Sequence, residues 1–439
     1  METGIVFIVG ILCGVMSGIL PGVGSLVVMT LAFPFLMTLD PVNILIFYVT
    51  LISIDQFFNG ITAIVFGMPG SSGAIPTSIE GHAIFRRGDG GNAIMYSAIG
   101  SYFASIFGVT LMVCLLPVLW TVYGIWTTTI QAGLFTFAVT MIMLVARNKL
   151  IFNIMLFALG SVLARIGWDE STTSSFLTFD MDILYTGIPI LPVMTMLFVL
   201  PMLLATTGGN FNFPGVSIKG YLESARNMGK YGITLIRSSF LGAVGGFVPG
   251  LTYGFSSVLS YTIERWSRKR KGKYSLGDTN CLIASESSNN AGAFTQLIPL
   301  LFLGIPITTS EALIYHILEA RGLPVSIEWF SQTFTTVTIF FLASATIGLL
   351  LSAKYVNLLK ILNGTKISYV YVAIMTFLLI SIYTTGQLQY AGMQHIIIAL
   401  MLAPIGLMLT RFDTTPLVIG YILHHPLFDS WERMVELYW

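Results

Sequence analysis

Four long stretches of the chain contain no aspartate, glutamate, lysine or arginine. They separate Glu2 from Asp40, Asp89 from Arg147, Asp182 from Lys219 and Lys366 from Arg411. A helix needs about 20 apolar residues to cross a bilayer, so each stretch can hold a crossing and the longest can hold two. Only 9% of the 439 residues are charged, against about 25% in typical soluble proteins. The sequence therefore predicts an all-α polytopic membrane protein with about 10–12 transmembrane helices.

The composition also argues against several classes of protein. The net charge is +1 and no broad basic face is evident, so nucleic acid is not an expected partner. Cys13, Cys114 and Cys281 lie in separate segments without the spacing of a zinc or redox site, and no cofactor is expected. Residues 4–20 lack the preceding basic residues of a signal peptide, so they are predicted to remain as the first helix.

An internal repeat organises the chain. The pattern GxxxGxxPG begins at Gly14 and recurs at Gly242, an offset of 228 residues. Further on, FGMPGSSGA pairs with LGIPITTSEA, and each is followed by an Arg-Gly pair, so the order of motifs is kept. The prediction is a first transmembrane repeat half over 1–205, a linker and interfacial segment over 206–231, and a second half over 232–439.

Charge asymmetry predicts how the two halves are oriented. The loop from Arg265 to Lys273 holds six of the 21 basic residues, which marks it as cytoplasmic by the positive-inside rule. The equivalent loop around Asp40 has no lysine or arginine and is predicted to be extracytoplasmic. Opposite charge bias at equivalent positions is expected of an inverted-topology repeat.

Each half is further predicted to contain a broken helix and a re-entrant hairpin. Proline followed by glycine within a span frees backbone groups that lipid cannot satisfy, so such breaks often line cavities, although a simple kink is the alternative. N–H groups at the start of the second half-helix suit an anion, and small hydroxyl residues at two hairpin tips would surround one ligand. The predicted substrate-binding residues are Pro21, Gly22, Gly24, Pro69, Gly70, Ser71, Ser72, Pro249, Gly250, Asn289, Asn290, Pro306, Thr308 and Thr309.

Acidic residues within apolar segments are the predicted cation-coupling groups. Asp55 and Glu286, with Asn289 nearby, supply the carboxylate and amide oxygens that a hard cation such as sodium prefers. A location near the membrane interface is the alternative for both carboxylates. Glu80 and Glu311 each end a Thr-x-x-Glu pattern, so each is predicted to close a capping box at a helix start. Apart from a transported sodium ion, no metal is expected.

Several of these motifs occur together in one known family. The segments GVMSGILPGVG, FGMPGSSGAIPTSIEGHAIFRRG, GAVGGFVPG, ASESSNNAGAF and IPLLFLGIP resemble the large permease subunit of tripartite tricarboxylate transporters, the TctA-type family. The resemblance covers roughly residues 10–324, and ESSNN followed by LGIP is its most specific part.

The resemblance implies a permease in the bacterial inner membrane. Its implied partners are a small membrane subunit of about four spans and a periplasmic solute-binding protein. It also implies sodium-driven symport of small, tricarboxylate-like carboxylates, with the broken-helix tips of both halves holding the solute. It does not imply an enzyme.

Two alternatives come from other functional classes. Residues 70–73 spell GSSG, which could place a serine nucleophile of an intramembrane protease with His316 or His395 as its base. The second copy of this motif keeps hydroxyl residues without the glycines, and a protease would not need it. A non-transporting membrane scaffold gives no reason for duplicated broken helices. Transport is therefore the predicted function.

Overall fold

A computed structural model describes most of the chain, and the described residues are 2–20, 23–68, 71–123, 127–169, 174–205, 221–322, 327–354, 356–357, 360, 363–387 and 391–438. Within these ranges nearly all regular structure is helical, with one pair of short antiparallel strands, β1 (Gly167–Asp169) and β2 (Ser174–Phe176). The predicted all-α polytopic fold class is confirmed.

Twenty α-helices follow one another along the described residues. The first ten are α1 (Glu2–Ile19), α2 (Ser25–Leu36), α3 (Pro41–Phe66), α4 (Ile75–Ile84), α5 (Gly90–Tyr123), α6 (Thr128–Val145), α7 (Leu150–Arg165), α8 (Asp182–Tyr185), α9 (Ile190–Val193) and α10 (Leu200–Ala205). The others are α11 (Tyr221–Asn227), α12 (Gly232–Phe247), α13 (Tyr253–Arg270), α14 (Thr279–Thr295), α15 (Leu297–Leu303), α16 (Thr309–Ala320), α17 (Ile327–Lys354), α18 (Ile367–Gln387), α19 (Gly392–Met408) and α20 (Thr415–Tyr438). Short 3₁₀ turns cover Ser72–Ala74 and Met228–Tyr231, and π-helical turns cover Phe85–Asp89 and Met194–Val199.

Six segments of the described residues are long and apolar enough to cross a membrane. They are Glu2–Ile19, Pro41–Phe66, Ser72–Val118, Thr128–Val145, Trp329–Ser352 and Ile367–Gly386. Four shorter apolar helices cover Ser25–Leu36, Leu150–Arg165, Ile190–Leu204 and Gly392–Met408. Large apolar side chains such as Leu12 and Phe377 face outward, which suits a lipid environment. The number of crossings stays a prediction.

Helices α3 and α14 are enclosed by the rest of the protein. All side chains from Asn43 to Val65 and from Cys281 to Thr295 are buried. Glycines of α1 and α12 allow these two helices to pack closely against α3 and α14. A Cβ on Gly18 would lie 2.5 Å from the Cβ of Phe58 in α3, which is too short for a non-bonded contact. A Cβ on Gly242 would lie 2.0 Å from a backbone oxygen of α14. The repeated glycine motif thus produces a close helix pair in each half.

The order of elements is the same in both predicted halves. A pair of helices separated by a break (α1 and α2, α12 and α13) precedes a long apolar segment (α3, and α14 with α15). Each long segment ends at a glycine in the left-handed region, Gly67 with φ 67° and Gly304 with φ 68°. A further helix and another left-handed glycine follow, Gly88 and Gly322. The inverted orientation of the halves stays a prediction, and residues 206–220 of the predicted linker lie outside the described residues.

Loops from the two halves contact each other at separate places. An Nη2 of Arg321 donates to the backbone oxygen of Leu39 at 3.2 Å, next to Asp40, whose carboxylate caps the start of α3. Arg87 donates to the backbone oxygen of Leu276, in the loop that follows the basic end of α13. Each contact joins a loop of the first half to a loop of the second.

Candidate functional site

Two segments, which we call tip 1 (residues 71–77) and tip 2 (residues 305–311), lie where the chain turns back into the protein after α3 and after α15. After α3 ends, the chain returns to the level of Asn59, whose amide donates to the hydroxyl of Ser71 at 2.6 Å. After α15 ends, the N–H of Ile305 donates to the oxygen of Pro299 at 2.8 Å, and α16 then begins. Both turns depend on the left-handed glycine that terminates the preceding helix.

Each tip contacts the broken helix of the other half. At tip 1, the hydroxyl of Ser257 in α13 donates to the oxygen of Gly73 at 2.7 Å, and a Cβ on Gly254 would lie 2.2 Å from the Ser72 hydroxyl. At tip 2, the hydroxyls of Ser25 in α2 and Ser310 lie 3.1 Å apart. The first residues of α2 and α13, Ser25 and Tyr253, are separated by the repeat offset of 228 residues. Each half therefore offers the start of its second broken-helix segment to the tip of the other half.

Four helix N-termini therefore lie at these contacts, those of α2, α4, α13 and α16. The N-terminus of a helix carries partial positive charge and N–H groups that have no partner within the helix. Thr252 and Thr308 cap α13 and α16 with their side chains, whereas Gly24 before α2 and Ser71 before the 3₁₀ turn that leads into α4 make no side-chain cap. The uncapped starts of α2 and of this 3₁₀ turn can accept a carboxylate.

Glu286 lies in a buried pocket of hydroxyl groups between α14, tip 1 and α5. Its side chain is 1% exposed. It accepts hydrogen bonds from the hydroxyls of Thr77 and Ser101, the latter at 3.3 Å. A Cβ on Gly60 would lie 3.0 Å from the Oε2 of Glu286 and from the Ser97 hydroxyl, so a side chain at position 60 would crowd the pocket.

The two asparagines after Glu286 differ in their contacts. The amide of Asn289 donates to the side chain of Gln56 in α3, while its Oδ1 is buried without a hydrogen-bond partner in the described residues. A Cβ on Gly73 would lie 2.0 Å from that Oδ1, so Asn289 faces tip 1 directly. The amide of Asn290 instead donates to Ser101 at 2.7 Å and to the backbone oxygen of Glu286 at 3.0 Å.

Asp55 lies one helical turn before Asn59 on α3 and is 3% exposed. The hydroxyl of Ser17 in α1 donates to its Oδ1 at 2.5 Å. Tyr253, the first residue of α13, lies close enough to interact electrostatically with Asp55 and with Glu311. Asp55 is therefore a buried carboxylate near the contact between the two halves, and its depth in the membrane, like that of Glu286, stays a prediction.

The two predicted capping boxes have different outcomes. At Glu311 the prediction is confirmed, because its Oε2 accepts from the N–H groups of Ile307 and Thr308 at 2.8 and 3.0 Å and the Thr308 hydroxyl caps the helix. At Glu80 the prediction is wrong. Helix α4 begins at Ile75, so Thr77 lies inside the helix and its hydroxyl points to Glu286 instead.

Glu80 binds the loop that follows α13. Its Oε2 accepts from the N–H groups of Gly277 and Asp278 at 2.6 and 3.0 Å. Its Oε1 accepts from the hydroxyls of Tyr261 and Tyr274 at 3.1 and 2.9 Å. Burial and the Glu80 carboxylate raise the pKa of the Tyr274 hydroxyl, so this group stays a donor at neutral pH. Glu80 thus joins the first half to the basic loop of the second.

Other predicted site residues are distributed unevenly around the tips. Gly24, Ser71, Ser72, Thr308 and Thr309 lie at helix starts or tips. Pro306 is buried within tip 2. Pro249 and Gly250 form the expected break, but Gly250 packs against Ala138 and Met141 of α6. Pro21, Gly22, Pro69 and Gly70 lie outside the described residues.

The sequence analysis missed several polar residues that line these pockets. They are Gln56, Asn59, Thr77, Ser97, Ser101 and Ser257. Two signals were available, since Gln56 and Asn59 are polar residues within an apolar segment, and Ser97 and Ser101 share one face of α5 at a spacing of four. Neither pattern predicts which neighbouring helix these side chains contact.

The described contacts do not favour the protease alternative. The Ser71 hydroxyl accepts from the amide of Asn59, the Ser72 hydroxyl faces Gly254 of α13, and His395 packs against Gly386 of α18.

Comparison with known proteins gives both relatives and a family. The chain is 27% identical over 318 residues to an uncharacterized 52.8 kDa protein of the TAR-I ttuC' 3' region of Agrobacterium vitis, covering 72% of this chain and 63% of that protein. A second Agrobacterium vitis protein, of the TAR-II ttuC' 3' region, is 35% identical over 82 residues, 19% of this chain and 34% of its own length. An uncharacterized protein of Methanocaldococcus jannaschii is 22% identical over 304 residues, 68% of each chain.

The chain thus matches less than two thirds of the length of the Agrobacterium relatives. No solved structure matches it. The model of the tripartite tricarboxylate transporter TctA family matches residues 5–419, nearly the whole chain. The chain belongs to the tripartite tricarboxylate transporter TctA family.

Proposed function

We propose that this protein is the large permease subunit of a tripartite, binding-protein-dependent secondary transporter. It takes up small, tricarboxylate-like carboxylates across the bacterial inner membrane by symport with sodium. Its partners are a small membrane subunit of about four spans and a periplasmic solute-binding protein. Family membership supports the transporter class, and the geometry of the tips supports the substrate class and the coupling ion.

The observation that carries the proposal is that each tip contacts the broken helix of the other half. Ser257 with Gly73 and Ser25 with Ser310 make these contacts. The arrangement gathers helix N-termini and hydroxyl groups within an apolar protein, where unsatisfied N–H groups would otherwise be costly. A small molecule with several carboxylates matches it, because one carboxylate can accept from the uncapped start of α2 and another from the uncapped start of the 3₁₀ turn that leads into α4.

The buried carboxylates support coupling to a cation. Asp55 and Glu286 are each at most 3% exposed, and neither takes part in the two ion pairs found within the described residues, Arg237 with Glu264 and Arg268 with Asp278. An unpaired charge at membrane depth is costly, so a sodium ion bound by Glu286 and the free oxygen of Asn289 would stabilise the site. The bound cation would also reduce the repulsion that Glu286 exerts on an anionic substrate. This linkage makes sodium binding favour substrate binding.

The same contacts indicate how access to the site could alternate. The tips belong to one half and the broken helices to the other, so a rocking or elevator-like displacement of the hairpins would break one set of contacts at a time. Gly67 and Gly304 lie at the bases of the hairpins and have backbone conformations that allow a bend there.

Uptake into proteoliposomes that contain the permease and both partner subunits tests the proposal. Inward sodium gradients should drive accumulation of di- or tricarboxylates, and a full panel of these compounds without uptake would refute the transport assignment. Glu286→Gln should weaken sodium activation about 10- to 150-fold, since it removes one charged ligand worth about 1.5–3 kcal/mol. Glu432→Gln, at an exposed position of α20, is the matched control. An unchanged sodium response of Glu286→Gln would exclude this residue from the cation site.

A further inference from the structure

The carboxylate of Glu311 is only half used by the capping box of tip 2. Its Oε2 accepts the two N–H groups that hold the turn, from Ile307 and Thr308. Its Oε1 is buried and has no hydrogen-bond partner in the part of the chain that the structure describes. Capping therefore explains one oxygen of this side chain and leaves the other unexplained.

Several side chains that carry hydroxyl groups lie near Glu311. The hydroxyl of Tyr48 in α3 is also fully buried and lacks a hydrogen-bond partner of good geometry in the described residues. It lies close enough to interact electrostatically with Glu311, and the hydroxyls of Thr308 and Ser310 lie near it. The hydroxyl of Ser25, at the start of α2, is 3.1 Å from that of Ser310. A hard monovalent cation prefers such a set of carboxylate and hydroxyl oxygens.

The charge of Glu311 also lacks a basic partner. Glu311 is fully buried, and the two ion pairs of the described residues lie elsewhere, in α12 and α13 with their flanking loop. Two N–H groups satisfy one oxygen but do not neutralise a carboxylate in a medium of low dielectric constant. A buried charge of this kind persists when a bound cation compensates it.

We propose that tip 2 holds a sodium ion between the Oε1 of Glu311 and the hydroxyl of Tyr48, with hydroxyls of tip 2 as further ligands. This site is separate from the one at Glu286, which lies against tip 1. The inference rests on the proposed function and extends it, because it gives each hairpin tip its own coupling ion. Each transport cycle then carries at least two sodium ions with one substrate.

Direct binding of sodium to the purified full-length protein tests this site. Glu311→Gln is an informative variant, because glutamine at this position still forms a capping box while the negative charge is lost. Tyr48→Phe removes only the hydroxyl. Equilibrium binding of radioactive sodium should give at least two ions for the native protein and one fewer for Glu311→Gln, and Tyr48→Phe should weaken one binding event. The native number of bound ions in Glu311→Gln, with the native melting temperature, would overturn the inference.

Flux measurements separate this inference from the proposed function. In proteoliposomes with both partners, the ratio of sodium to carboxylate transported should fall by one in Glu311→Gln, and a Glu319→Gln control, exposed at the end of α16, should keep the native ratio. Sodium-driven uptake with an unchanged ratio in Glu311→Gln would refute the second site and leave the proposed function intact. Absence of uptake by the native protein, with loss of one bound sodium in Glu311→Gln, would refute the function and leave the site intact.

Discussion

Replacing Glu80 should release the loop that follows α13 from the first half of the protein. The carboxylate accepts four hydrogen bonds, two of them from the backbone N–H groups of Gly277 and Asp278. A hydrogen bond to a charged acceptor contributes about 1.5–3 kcal/mol, so Glu80→Ala should raise the exchange rates of these two amide hydrogens about 10- to 150-fold. Glu80→Gln keeps one acceptor oxygen and should give a smaller increase.

Hydrogen exchange followed by mass spectrometry measures this effect on the peptide that covers residues 274–282. The increase should be confined to that peptide and to α4, because the rest of α13 keeps its own helical hydrogen bonds. Glu432→Ala, a glutamate exposed to solvent, is the control and should leave the exchange unchanged. Native exchange of Gly277 and Asp278 in a folded Glu80→Ala protein would refute the conclusion that Glu80 holds the loop.

Two further predictions concern helix packing and orientation. Gly242→Ala would bring a Cβ within 2.0 Å of a backbone oxygen of α14, so it should destabilise the protein by about 1–3 kcal/mol in thermal unfolding. Gly232→Ala on the same helix meets nothing within 4 Å and should be close to neutral, and equal losses would contradict the packing argument. In intact cells, a cysteine replacing Lys273 should be protected from an impermeant maleimide and one replacing Thr38 should react, whereas equal labelling would contradict the inverted repeat.

Under the proposed function, the contacts between the halves would link the hairpins to the coupling ions. Tip 1 faces Glu286 and Asn289, while tip 2 contains Glu311, so a buried carboxylate lies near each hairpin. Movement of either tip would change the surroundings of its carboxylate. A cation bound there would therefore favour one position of the hairpin over another, which is the requirement for coupling.

Much of the fold could be predicted from local properties of the sequence. The charge-free stretches predicted a helical membrane protein, since hydrophobicity over about 20 residues is a local sum. The glycine motifs of α1 and α12 predicted the repeat, and the close packing that they allow occurs in both halves because a missing side chain has the same effect in each. The break at Pro249 was predictable as well, since proline lacks the N–H that a helix interior needs. The contact that Gly250 makes with α6 at this break was not predictable from the sequence.

The site was predictable only in part, because polar contacts depend on which helices become neighbours. Glu286 and Asn289 stood out as polar groups in an apolar chain, and both lie beside tip 1. Their partners Gln56 and Ser101 come from other helices, more than 180 residues away in the sequence. Spacing along one helix carries no information about such pairs.

Glu80 and Glu311 show which features follow from the sequence and which depend on tertiary contacts. Both complete the same Thr-x-x-Glu pattern, and the sequence by itself determined the membrane fold, the repeated motifs and the family in which they occur. The tertiary structure decided that one glutamate caps a helix and the other binds a distant loop. The physical reason is that a buried carboxylate must find donors, and the donors within reach are set by where a helix begins and which segment packs against it.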